Sequence, residues 1–161
     1  MKGKLRSKRI GTGAALVTGV LAATSLAFAP SALAVTPQTA TITASCGIFG
    51  GGAATITATQ DGTAATVTVN SSITAPLALA QDSIASTFTF VNASGGTTVF
   101  SGTVNPAMAT GDAVTVGPLS GTVASGDSLE AYGGSLKMTI FGIAVTCTAT
   151  AAQSPGPFVF D

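Results

Sequence analysis

Few side chains in this sequence have the chemistry of a nucleophile, a general base or a metal ligand. Beyond its many serine and threonine hydroxyls they are two cysteines, Cys46 and Cys147, and six carboxylates, Asp61, Asp82, Asp112, Asp127, Glu130 and Asp161. There is no histidine. A Ser-His-Asp or Cys-His pair is therefore absent, as is the imidazole that commonly serves as metal ligand or as base near neutral pH. A cysteine attacks as thiolate, which needs a neighbouring base or cation to hold it, and two cysteines fall short of a four-ligand zinc site. Asp61-Gly62, Gly111-Asp112 and Gly126-Asp127 are turn dipeptides, in which aspartate serves the local backbone. A carboxylate pair for glycoside hydrolysis, drawn from Asp82, Asp112, Asp127 and Glu130, is the remaining enzymatic alternative. Solvated loop carboxylates are the plainer reading, and the expectation is a chain without catalytic residues, metal or cofactor.

The cysteines take their meaning from the N-terminus. Lys2, Lys4, Arg6, Lys8 and Arg9 form a basic start, residues 14–29 are largely apolar, and Ala32-Leu33-Ala34 supplies small residues before Val35. That is the form of a signal peptide over residues 1–34, cleaved between Ala34 and Val35. The apolar run is shorter than the ~20 residues of a membrane span, and no second such run follows, so no transmembrane segment is expected in the mature chain. The expected location is secreted or cell-envelope associated. In an oxidising compartment an even count of two cysteines points to a Cys46–Cys147 disulfide. Past residue 34, Lys137 is the one remaining basic residue against six carboxylates. A chain so poor in cations cannot neutralise a row of phosphates, so nucleic acid is excluded as a partner.

The elements that must hold these residues read as β-strands. Ile42, Ala44 and Cys46 alternate with Thr41, Thr43 and Ser45; Ala54, Ile56 and Ala58 alternate with Thr55, Thr57 and Thr59; Ala65, Val67 and Val69 alternate with Thr66 and Thr68. Period-two alternation marks half-buried strands, and Asp61-Gly62 between the second and third predicts a hairpin over residues 53–70 with a type I′ turn. Ile84, Phe88 and Phe90 share a face of the next strand, and residues 97–104 return. Asn105-Pro106, Gly111-Asp112, Gly117-Pro118 and Gly126-Asp127 then punctuate the chain as turns. Residues 135–150 read as one last strand in which Leu136, Met138 and Ile140 have one parity and Ile143, Val145 and Cys147 the other, so a bulge or corner is expected at Gly142. Short strands between regular turns predict an all-β, immunoglobulin-like antiparallel sandwich over residues 35–153, its first and last strands joined by the disulfide. A C-terminal tail covers residues 154–161, and its apolar end, Phe158-Val159-Phe160, is expected to pack back on the domain.

The alanine-rich leader, the cysteines in early and late strands and the Thr/Val strands with Gly-Pro or Gly-Asp turns resemble small secreted β-sandwich domains of actinobacterial exported proteins. The resemblance implies a sandwich at the envelope or outside the cell, and carries no functional residue. Composition and leader are also similar to the secreted apoproteins that carry enediyne antibiotics, from which this chain departs by one long bond in place of two short-loop disulfides. The expected function is non-catalytic surface recognition of a protein or cell-wall component. The alternative is a carrier of an apolar small molecule, with Phe88, Phe90, Phe100, Met138 and Phe141 as pocket wall. A filled interior favours the first and a hollow one the second.

Overall fold

The computed structural model describes residues 35–161; the leader read over residues 1–34 lies outside the described residues. Ten strands follow one another along the chain: β1 (Val35–Thr36), β2 (Thr39–Ser45), β3 (Gly51–Asp61), β4 (Ala64–Thr74), β5 (Ala85–Asn92), β6 (Thr97–Gly102), β7 (Ala113–Thr122), β8 (Ser128–Ile140), β9 (Ile143–Ala149) and β10 (Phe158–Phe160). They pair in the order β1-β10-β8-β5-β6-β7-β4-β3-β2-β9, and β9 pairs again with β8. That last ladder, Leu136↔Cys147 to Ile140↔Ile143, closes eight antiparallel strands into a barrel. The immunoglobulin-like sandwich expected from strand spacing, and implied by the resemblance, is thereby corrected: among the described residues there is one continuous wall and no second sheet. Closure removes the exposed strand edges that an open sheet must otherwise protect.

Alternation supplies the wall with an inside. Along β3, Ala54, Ile56 and Ala58 are buried while Thr55, Thr57 and Thr59 face solvent. Two strands change parity midway, and each change is a bend. In β7 the inward residues run Val114 and Val116, then Leu119, because Gly117-Pro118 forms a bulge against β4 between the Val67 and Val69 pairings. The dipeptide expected as a turn is thus inside a strand. In β8 they run Leu129 and Ala131, then Leu136 and Met138, and the register against β5 shifts between Thr89 and Val91. A Cβ on Gly134 would lie 2.0 Å from the Thr89 carbonyl oxygen, so only glycine fits this corner. Bulges strengthen local twist and bend, which a closing sheet requires.

The bend divides the far edge of β8. Its first half pairs with β10, through Phe158↔Leu129, and its second half with β9. Between the two, Gln153 accepts a bond from Ala131 N–H (2.8 Å) with its side-chain oxygen, and its own N–H donates to Glu130 Oε1 (2.9 Å). The apolar tail forms β10, with Phe158 and Phe160 buried and β1 as its outer partner.

The corner expected at Gly142 is a hairpin turn instead, so residues 135–150 belong to two strands. Ile140 pairs with Ile143, and the two residues between them, Phe141 and Gly142, have φ of 50° and 76°, which places both central residues in the positive region of a type I′ turn. The hairpin at Asp61-Gly62 is present, but Asp61 pairs with Ala64, so Gly62 and Thr63 are central and Gly62 alone of the two has positive φ. The disulfide is present: Cys46 and Cys147 are bonded. It joins β2 and β9, neighbours in the barrel, rather than the first and last strands. It continues the short ladder Ala44↔Ala149 and Ser45↔Thr148 by one position.

Candidate functional site

The barrel interior is filled unevenly. In one half Phe90, Phe100, Phe158, Ile56, Leu119 and Leu129 are fully buried. Phe90 is central, stacked on Phe88 at 4.1 Å and edge-on to Phe100 and Phe158 at 5.6 and 6.2 Å. Toward the other end the inward positions carry smaller side chains, including Ala44 on β2, Ala54 on β3, Val69 on β4, Val114 on β7 and Val145 on β9. An eight-stranded barrel has the width at which side chains either fill the interior or leave room for one small ligand. Here the small residues leave a cavity of about 450 Å³.

Its wall is apolar. The polar residues that reach it are Ser71, Thr74, Ser135 and Thr148, and the Ser71 hydroxyl is already given to the Val114 carbonyl at 2.9 Å. Among the described residues no charged side chain lines it. The Cys46–Cys147 bond is part of the wall.

Three connections form the mouth: a 3₁₀ turn at Gly47–Phe49 between β2 and β3, residues 75–84 between β4 and β5, and the Phe141-Gly142 turn. With Ile143 at the start of β9, they place Phe49, Leu77 and Phe141 on the cavity rim. All four are exposed, Leu77 by 61% and Phe141 by 66%, and Ile48 beside Phe49 is 96% exposed. The long connection is fixed rather than loose. Leu79 and Met108 exchange backbone bonds of 2.8 and 2.9 Å. The buried Asn105 accepts from Ser83 and Ile84 N–H and donates to the Ala80 and Pro106 carbonyls.

Of the five residues expected to line a pocket, Phe88, Met138 and Phe141 do so. Phe90 and Phe100 do not: they belong to the filled half, because inward residues of one strand stand at different heights along the barrel. Phe49, Leu77 and Ile143 were not anticipated. For Phe49 and Leu77 the signal in the sequence is a large apolar residue inside a glycine- or proline-bearing connection, as in Gly47-Ile48-Phe49-Gly50 and Pro76-Leu77.

None of the six carboxylates lines the cavity, and three of them serve the local backbone. Asp112 accepts from Ala109 N–H (2.7 Å), Asp127 from Ala124 N–H (2.9 Å), and Glu130 from Tyr132 N–H (3.1 Å). Among the described residues no three of His, Cys, Asp and Glu cluster so as to hold a metal ion, and no helix is long and apolar enough to cross a membrane. Fold and site together define a closed antiparallel β-barrel with an apolar cavity open at one end. No protein-family model, curated protein or solved structure matches the chain.

Proposed function

We propose that this protein is an exported, non-catalytic carrier that holds an apolar small molecule in the open end of its barrel. The observation that carries this reading is the cavity itself. It is of ligand size, lined by hydrocarbon and entered through a rim of exposed apolar side chains. The carboxylates are outside the cavity lining, and the cysteines are bonded to each other. Disulfide formation suits the oxidising surroundings of an exported protein.

Two measurements test the reading. Native mass spectrometry of protein purified from its own source is expected to show a non-covalent adduct that is lost on unfolding. Nile red, an uncharged fluorophore, is expected to bind saturably at one site, and Ala54→Phe, which extends a ring into the cavity, is expected to abolish that binding while the protein stays folded. An empty protein that binds no neutral fluorophore would return the function to recognition of a protein or cell-wall component by the outer surface.

A further inference from the structure

We infer that the cavity selects an electrically neutral ligand and that Phe141 is the residue that covers it at the mouth; both statements rest on the carrier reading above. The first part follows from the wall. A carboxylate or ammonium group taken from water needs a counter-charge or several hydrogen bonds, without which its burial costs several kcal/mol. No charged side chain among the described residues lines this cavity, and of the four hydroxyl side chains that reach it, those of Ser71, Thr74, Ser135 and Thr148, the first is committed to Val114. Lys137, the one cation past residue 34, is exposed on β8 between the buried Leu136 and Met138, so it faces away from the interior. The three connections at the mouth contain one charged residue, Asp82 within residues 75–84, and it is not part of the cavity lining. A charged head would have to stay outside, and the ligand would lose the burial of that end.

The second part follows from a residue that folding alone does not favour. Phe141 occupies the first central position of a type I′ turn with φ of 50°. A bulky side chain is a genuine outlier there, whereas asparagine before glycine is the preferred pair. Its ring is two-thirds exposed, so it gains little from burial in return. Backbone strain of this kind persists where the position has another use, and the ring of Phe141 lines the cavity. A flat apolar ring on the rim of an apolar opening has an evident use once the cavity is filled, because ring and ligand then shield each other from water.

The test uses the disulfide-bonded protein with Nile red as reporter and three competitors of equal chain length below their micellar range: dodecanol, dodecanoate and dodecyltrimethylammonium. Dodecanol is expected to displace the dye at a concentration at least about tenfold lower than either ion, a difference of about 1.4 kcal/mol. Ions that compete as well as the alcohol would overturn the neutral-ligand inference while leaving the carrier reading intact. Failure of the dye and all three competitors to bind would overturn the carrier reading itself. In the same assay Phe141→Asn is expected to raise the melting temperature yet weaken dye binding by about fivefold or more, and Phe141→Leu to restore most of the affinity. A ring with only a structural role would give the reverse for Phe141→Asn, a lower melting temperature with unchanged affinity, and that result would overturn the assignment.

Discussion

Asn105 shows how a polar side chain can set the shape of an apolar site from a distance. It is buried, and its amide makes two accepted and two donated bonds to the backbone around residues 80–84 and 106. Those bonds hold the connection that carries Leu77 to the cavity rim. Asn105→Ala would leave the N–H groups of Ser83 and Ile84 without an acceptor, and a buried donor left unpaired costs about 1–3 kcal/mol. The expected outcome is a loss of roughly 3 kcal/mol, read as a lower urea midpoint at unchanged slope. In the sequence Asn105 stands before Pro106 in a segment rich in turn signals, and that much is legible. Its burial is not, because a turn asparagine and a buried one have the same local spacing.

At the scale of elements, β8 and its partners decide the architecture. Leu136, Met138 and Ile140 read inward from their alternation alone, as do Val145 and Cys147, since side-chain direction on a strand is a local property. The change of parity between the two sets was visible as well. Its cause was not: a bulge shifts parity, and so does a two-residue turn that sends the chain back beside itself. The true corner is at Gly133-Gly134, where the approach of Thr89 rather than any local pattern calls for glycine. The two kinds of glycine should separate on substitution. Gly142→Ala meets open space and carries only the penalty of positive φ, about 1–2 kcal/mol. Gly134→Ala sets a methyl against a ladder carbonyl and is expected to cost more than about 3 kcal/mol or to prevent folding. Thermal melts of the two variants side by side check the order.

For the whole molecule, the seam between β2 and β9 is the place where the barrel is stapled. Its ladder has two residue pairs, against eight between β3 and β4, and the disulfide lies at the next position, spanning 101 residues of chain. A cross-link over a loop of that length restricts the unfolded ensemble by an amount worth about 4.7 kcal/mol in the chain-entropy model. Replacing both cysteines by alanine is expected to lower stability by roughly that amount in urea titrations. Because the bond is also cavity wall, Nile red binding is expected to weaken in the same variant, and a saturating ligand to recover part of the lost stability through its preference for the folded state.

The sequence by itself determined the alternating strands β2 to β5, their inward faces and the pairing of Cys46 with Cys147, for physical reasons that act locally or by count. Alternation is written residue by residue, and two cysteines allow one bond. It also narrowed the chemistry, since a chain without histidine has no common base near neutral pH. Tertiary structure alone decided that the wall closes, because a closing ladder such as Leu136↔Cys147 to Ile140↔Ile143 is made of backbone bonds that no side chain announces. It alone decided that one end is hollow. Phe88 and Phe90 share a strand face, yet one borders the cavity and the other is sealed among Phe100 and Phe158. That difference depends on height within a barrel whose register is set by every other strand.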